Sequence, residues 1–296
     1  MNLALNPPTT IAAALAAATP ALTAAGVDTP RLDAQLLLAS AIDGRREDLL
    51  MSPERVLTPG ELAAFNSLVE RRAARCPLPY LTGTQWFYGL EFNVTDAVLI
   101  PRPETEMLVD FALAHASPGS RIADIGTGSG CIAVSIAAVR PDATVAAVDL
   151  SPDALAVAAS NAVRHSVESR VTLLAGDLLA PLAGLRFDII VSNPPYIPLY
   201  DMPALMPEVR DHEPALALHI GAGDDGLAIY RRLFADSPAL LAPHGRIAVE
   251  VGQGQADDVR AIAVAAGFDD ITVANDGAGI GRVVSAIWRG NRSQIA

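Results

Sequence analysis

Short apolar runs alternate with helix-patterned segments from residue 121 to residue 288. Arg121 to Ile125 reads as a buried strand, followed by a Gly-rich turn and a helix to about Val139. Thr144 to Asp149 reads as the next strand. Pro152 to Arg164 reads as a helix, with Ser151 as N-cap and proline in the first turn. Val171 to Ala175 and Phe187 to Ser192 continue the series. The pattern then predicts a helix over 226–241, a strand over 246–251, a helix over 255–266 and strands near 271–274 and 283–288. Strands that are apolar along their whole length need cover on both faces, and an intervening helix lets consecutive strands run parallel. The expected fold is therefore α/β, with a largely parallel sheet between helical layers.

The N-terminal part follows a different rule. Apolar residues recur at helical spacing over about 10–25, with Thr9 or Thr10 as N-cap, then over 30–42 and, after Thr58, over 59–75. This predicts a small all-helical domain over 1–80 with a packing or partner-docking role. It has no histidine before His115, and its carboxylates follow helix-surface spacing. Residues 81–103 predict a β-hairpin linker: Gly83 and Gly89 mark turns between aromatic and β-branched residues, and Ile100-Pro-Arg-Pro103 resists helix. The α/β domain is expected over 104–290.

Charge and composition narrow the partners. The net charge is -12, and all 21 basic residues are arginine. A protein that tracks a nucleic-acid backbone needs basic clusters to neutralise phosphates. The densest cluster here is Arg71, Arg72 and Arg75 with Glu70 beside it, so no direct nucleic-acid partner is expected. The apolar stretch Ile11 to Ala18 stops at Thr19-Pro20, short of the roughly 20 residues a membrane span requires. No basic residue precedes Arg31, which argues against a secretory or organelle-targeting leader. Cys76 and Cys131 have no metal-ligand spacing and read as reduced thiols. The expectation is a cytoplasmic monomer with no membrane partner and no metal.

Asp124-Ile-Gly-Thr-Gly-Ser-Gly130 lies where a strand hands over to a helix. Gly126, Gly128 and Gly130, with Thr127 and Ser129 between them, let the backbone turn tightly and approach a ligand. In open α/β sheets ligands sit at the carboxyl ends of strands. Asp149 ends the next strand, about 20 residues on, where a carboxylate can accept both ribose hydroxyl protons. Asp177, ending the third strand region, is placed to accept from an adenine amine, with Leu178 beside it on the ring face. The GxGxG spacing and the lack of a nearby cation disfavour a dinucleotide. S-adenosylmethionine, which brings no phosphate, is the better fit.

Ser192-Asn193-Pro194-Pro195-Tyr196 follows the buried strand Phe187 to Val191. Proline has no N–H, so this turn offers carbonyls and no competing donors. The Asn193 side chain and the Pro194 carbonyl can accept both protons of a planar NH2 group and aim its nitrogen at an electrophilic methyl. Tyr196 can stack on a flat substrate. An amide nitrogen becomes acidic once methylated and sheds its proton to water, so no strong general base is required and alignment carries the rate. Neither His212 nor His219 is assigned as a base.

These residues resemble the protein-(glutamine-N5) methyltransferase family, in particular the release-factor-specific enzymes. The resemblance spans nearly the whole chain. It rests on Pro79-Tyr80-Leu81 with Gly83, Ile100-Pro-Arg-Pro-Glu-Thr-Glu106, the glycine turn, Asn193-Pro-Pro-Tyr196 and Glu213-Pro214. Asp224-Asp-Gly226-Leu227, Glu250-Val-Gly-Gln253 and Asp276-Gly-Ala-Gly-Ile-Gly-Arg-Val283 also match. It implies a Rossmann-like S-adenosylmethionine-dependent methyltransferase domain, with a mainly parallel seven-stranded sheet, behind a helical domain that helps dock class I peptide-chain release factors. The implied substrate is the glutamine of a Gly-Gly-Gln loop. Residues 126–130, Asp149 and Asn193 then line the cofactor site, and Asn193 to Tyr196 grip the substrate amide. Phe87, Arg102 and Glu104 are candidates to wall the site, against a plainer role in packing and ion pairing. Gly277 and Leu178 depart from the pattern, where larger and aromatic residues are expected.

The same pocket logic serves a ribosomal-protein glutamine methyltransferase, or an enzyme acting on the exocyclic amine of a flipped nucleobase. A non-catalytic adapter and a nicotinamide-dependent dehydrogenase are the rivals from other classes.

Overall fold

The computed structural model describes residues 9–220 and 225–290. The fold divides into two compact units, 1–83 together with 206–212, and 84–205 together with 213–296.

The first unit is helical. Its helices are Ile11–Ala24, Pro30–Ala41, Arg46–Met51, Pro59–Ala73 and Leu78–Thr82, and the short helix Pro207–His212 joins them from much later in the chain. Thr10 caps the first, its Oγ1 accepting from Ala13 N at 3.2 Å. Thr58 and Glu61 form a reciprocal capping box on the fourth: Glu61 N donates to Thr58 Oγ1 at 3.2 Å, and Thr58 N to Glu61 Oε2 at 2.7 Å. Ile11, Leu22, Leu37, Leu38, Leu49 and Phe65 fill the core.

Not every carboxylate of this unit follows the surface. Asp33 is buried, and its Oδ2 accepts from the buried Arg72 at 2.7 Å. Arg72 also donates to Glu208 Oε1 at 3.0 Å, and Arg75 to Glu208 Oε2 at 2.7 Å. The arginine cluster of the sequence is thus partly an internal ion network, invisible to helical spacing because Glu208 lies far along the chain.

In the second unit, β1 (Thr84–Phe87) and β2 (Leu90–Asn93) form an antiparallel hairpin. Its two-residue turn is Tyr88-Gly89, both at positive φ, which matches the twist of the strands. Gly83 is the left-handed cap of helix Leu78–Thr82 rather than a hairpin turn. Seven further strands form one sheet: β3 (Arg121–Ile125), β4 (Thr144–Asp149), β5 (Val171–Ala175), β6 (Phe187–Ser192), β7 (Leu241–Glu250), β8 (Asp269–Asn275) and β9 (Gly281–Trp288). Their order is β5-β4-β3-β6-β7-β9-β8. The first five are parallel, and β9 runs antiparallel to both β7 and β8. Helices such as Cys131–Val139 and Ala228–Asp236 supply buried faces to two apolar clusters. The architecture is the Rossmann-like α/β fold expected.

Three differences from the sequence reading have local causes. Helix Glu106–His115 was not anticipated; it buries Leu108, Val109 and Ala112 ahead of β3. The helix predicted over 226–241 spans only Ala228–Asp236, and Pro238 restarts the chain as a short 3₁₀ turn, Ser237–Ala239. β7 therefore begins at Leu241, and residues 242–245 stand opposite Asp188 alone, an irregularity between the Phe187–Leu241 and Ile189–Arg246 pairings.

Candidate active site

The strand order decides where the two sequence constellations meet. From β3 the chain winds outward through β4 and β5, then returns to lay β6 on the other side of β3. Loops leaving β3 and β6 diverge there, opening a crevice at the carboxyl ends of both strands. Ile125 and Ser192 are register partners, and Ser192 Oγ donates to Ile125 O at 2.7 Å. The next residues are Gly126 and Asn193. A Cβ on Gly126 would stand 3.8 Å from the Asn193 carbonyl oxygen.

The glycine loop is fixed from below. Gly126 N and Thr127 N both donate to Val148 O, at 2.9 and 3.0 Å. Gly128 N donates to Asp149 Oδ2 at 2.8 Å, and Ser151 N to Asp149 Oδ1 at 2.9 Å. The fully buried Asn161 donates to Ser129 O at 2.8 Å. The three glycines sit at φ +74°, +55° and +77°, yet they do different things. A Cβ at Gly130 would press on Ala158 at 3.1 Å, so this position serves helix packing, whereas one at Gly128 would meet nothing within 4 Å. The loop is open on the side where a ligand would lie.

Asp124, beneath the loop, is fully buried. Its Oδ2 accepts from Thr127 Oγ1 at 2.6 Å and Ala133 N at 3.2 Å, and its Oδ1 has no partner among the described residues. Burial pushes this carboxyl up to about 7, with Asp149 adding to the effect and the two hydrogen bonds opposing it. S-adenosylmethionine fits this set of groups. The Asp149 oxygens keep lone pairs for ribose hydroxyls, the unmet Asp124 oxygen suits a cationic ligand, and the loop carries no cation for a phosphate.

Asp177 and Leu178 lie past the end of β5. Asp177 is exposed, and its Oδ2 accepts from Arg232 at 2.6 Å, so contact with a ligand would require that pair to open. Leu178 holds φ +48° and packs, partly buried, against the core of the second cluster.

After β6, Pro194 and Pro195 leave a turn without donors. Asn193 is half-buried, and its Nδ2 donates to Thr105 Oγ1 at 3.1 Å. Thr105 Oγ1 in turn donates to Glu250 Oε2 at 2.6 Å, and both residues are buried. Burial raises the Glu250 carboxyl to about 7, with Glu104 adding to the rise and Thr105, Arg282 and Arg102 opposing it. Tyr196 is held by its backbone: Gln255 Nε2 donates to Tyr196 O at 3.0 Å, and Gly252 N to Gln255 Oε1 at 2.9 Å. A Cβ on Gly226 would lie 2.5 Å from Tyr196 O, and one on Gly252 3.0 Å from Tyr196 Cδ2. Burial raises the Tyr196 phenol to about 12, so it stays neutral.

Thr105, Asn161, Gly252 and Gln255 were not read as site residues. Thr105, Gly226, Glu250 and Gly252 do fall inside the family-like stretches of the sequence, but a motif does not say which partners its residues meet. Asp224, from one of those stretches, lies outside the described residues. Phe87 is buried edge-on against Phe92 at 6.0 Å and serves packing. Arg102 pairs with the buried Glu213, which also accepts from Ile100 N at 3.4 Å. His212 bonds the Ala74 carbonyl through Nε2 at 3.2 Å, and His219 ends a short helix. Gly277 lies in an open turn where a side chain would meet nothing.

Comparison with known proteins identifies the family. Residues 13–83 match the family model described as PrmC N-terminal domain, and residues 103–200 match the methyltransferase small domain. The release factor glutamine methyltransferase of Geobacter sulfurreducens is 49% identical, over 88% of this chain and 90% of its own. The protein of the same name from Caulobacter vibrioides is 40% identical, over 94% and 96%. A methyltransferase structure from Pyrococcus furiosus shares the fold, with a TM-score of 0.52 at 18% identity, over 69% of this chain and 91% of that one. By its sequence over nearly its whole length, the chain belongs to the release factor glutamine methyltransferase family.

Proposed function

We propose that this chain transfers a methyl group from S-adenosylmethionine to the side-chain amide nitrogen of the glutamine in the Gly-Gly-Gln loop of class I peptide-chain release factors. The observation that carries the reading is the adjacency of Gly126 and Asn193 at one crevice, which sets a cofactor loop beside an amide-accepting turn. The cofactor supplies an electrophilic methyl on a sulfonium. In this reading Gly126 to Gly130 admit it against the backbone, and Asp149 accepts its ribose hydroxyls. Asp124 faces its positive charge, and Asp177 with Leu178 border the adenine once Arg232 releases the carboxylate.

Asn193 Oδ1 and the Pro194 carbonyl accept the two amide protons of the glutamine, which turns the nitrogen toward the methyl. Pro195 keeps competing donors out of the turn, and Tyr196 covers the amide plane. As the new N–C bond forms, the bond between the methyl and the sulfur breaks, its electron pair stays on sulfur as a neutral thioether, and one amide proton is lost to water. No residue needs to act as a strong base, because the nitrogen gains acidity in the same step. Rate enhancement then comes from alignment and exclusion of water. The helical unit, residues 1–80 in the sequence reading, serves to dock the release factor, and the chain works as a cytoplasmic monomer. Among the described residues no helix is long and apolar enough to cross a membrane.

The test is mass spectrometry of a purified class I release factor after incubation with the enzyme and methyl-labelled S-adenosylmethionine. One labelled methyl on the Gly-Gly-Gln glutamine, absent with Asn193→Ala, is the expected result. Label on a ribosomal protein or a nucleic acid instead would overturn the substrate while keeping the chemistry.

A further inference from the structure

Asn193 presents two chemically opposite ends, and only one suits a substrate amide. Oδ1 accepts hydrogen bonds, whereas Nδ2 donates them and would repel an incoming NH2 group. Nothing in residues 192–196 themselves selects the end that faces the crevice. The selection comes from two residues distant in sequence. Thr105 immediately precedes helix Glu106–His115, and Glu250 is the last residue of β7.

We propose that Thr105 and Glu250 are positioning residues that set the polarity of Asn193, holding its NH2 inward so that Oδ1 is the atom offered to the substrate glutamine. This deepens the reading of Asn193 to Tyr196 as an amide grip and rests on it. An ionised Glu250 can only accept, so the Thr105 hydroxyl must donate to it, at 2.6 Å. That leaves Thr105 Oγ1 with lone pairs only, and the group of Asn193 that can meet a lone pair is Nδ2, at 3.1 Å. The direction of each hydrogen bond is thus dictated by the carboxylate at the end of the chain. Burial of Thr105 and Glu250 excludes water that could break the sequence. Tyr230 supports the far side, its phenol donating to the Glu250 carbonyl at 2.7 Å.

A protonated Glu250 reverses the logic. Its hydroxyl can donate to Thr105 Oγ1, which frees the threonine proton for Asn193 Oδ1 and turns Nδ2 toward the substrate. The charged and titratable groups around Glu250 are Glu104 and Arg102 on the segment before helix Glu106–His115, and Arg282 on β9. Tyr196 lies on the turn, Tyr230 on helix Ala228–Asp236, and Cys131 at the start of the helix after the glycine loop. The phenols and the buried thiol stay neutral near pH 7. Among them, burial raises the Glu250 carboxyl to about 7.

The test compares Thr105→Val, Thr105→Ser, Glu250→Gln and Asn193→Ala on release-factor substrate at saturating cofactor, from pH 6 to 9, with cofactor affinity measured separately by calorimetry. Thr105→Val should lower kcat at least tenfold with cofactor affinity within twofold of wild type, and Thr105→Ser should restore it. Glu250→Gln cannot ionise, and its amide can either accept from Thr105 or donate to it. The part of the acid limb of the wild-type kcat profile near pH 7 that Glu250 supplies should therefore disappear, and Asp124→Asn run in parallel accounts for the other carboxyl raised to about 7. Wild-type kcat in Thr105→Val beside an inactive Asn193→Ala, or an unchanged acid limb in Glu250→Gln, would overturn the proposal while leaving the grip intact. Full activity in Asn193→Ala would instead remove the grip reading itself. If Thr105→Val does not fold, the pH profile of Glu250→Gln decides.

Discussion

Asp124→Asn should make the cofactor-free protein more stable at alkaline pH and a poorer binder of S-adenosylmethionine. A carboxyl whose folded pKa is raised from 3.8 to about 7 holds its proton more tightly when folded. The stability it contributes is complete below pH 4 and is lost as pH rises through 7. The loss amounts to about 4 kcal/mol by pH 8, of which about 2 kcal/mol has already gone at pH 5. Asparagine at this site cannot ionise, so it escapes that loss. Its amide still has an oxygen for Thr127 and Ala133, and its NH2 inherits the unpartnered position of Oδ1. An unmet amide group costs about 1–3 kcal/mol, but this cost does not vary with pH. The variant should therefore gain about 2 kcal/mol relative to wild type between pH 5 and pH 8, whatever its absolute starting point. Urea unfolding of both cofactor-free proteins at those two pH values measures the swing, and buried groups such as Glu250 cancel in the difference. Calorimetry at pH 8 should show the opposite sign for cofactor affinity, a loss of tenfold or more. Parallel stability curves would refute the reasoning, because they would mean the buried carboxylate already has a partner that the geometry does not reveal.

Two further expectations follow from local geometry. Gly226→Ala puts a Cβ at a positive φ and 2.5 Å from the Tyr196 carbonyl, so the turn must shift; methyl transfer should fall at least tenfold with cofactor affinity within twofold, as read by kinetics and calorimetry. Thr58→Ala removes the hydroxyl half of the capping box on helix Pro59–Ala73 and should cost about 1 kcal/mol in chemical unfolding, with kcat unchanged.

The parallel strands were legible almost to the residue because buried strands are written as continuous apolar runs between Gly, Pro and Asp. β3, β4, β5 and β6 match their predicted spans in full. The error at 226–241 arose because the apolar residues of helix Ala228–Asp236 and of β7 run into one another, and only Pro238 marks the break. The glycine turn and the Asn-Pro-Pro-Tyr turn were visible as patterns, whereas their adjacency required the strand order that sets β3 beside β6. What the sequence hid was long-range pairing. Thr105 meets Glu250 across 145 positions and Arg72 meets Glu208 across 136, and no local periodicity encodes either contact.

The place of residues 206–212 in the helical unit has a consequence for how this protein can be taken apart, or could have been put together. A gene fragment beginning at Thr84 keeps Glu208 but loses Arg72 and Arg75, stranding a carboxylate whose two guanidinium partners were left on the other side of the cut. The helical unit is consequently not a cassette that can be exchanged by splicing at one junction. Trading it for another helical unit means rewriting residues 206–212 as well, a stretch that lies downstream of Tyr196 and is carried by the other half of the gene.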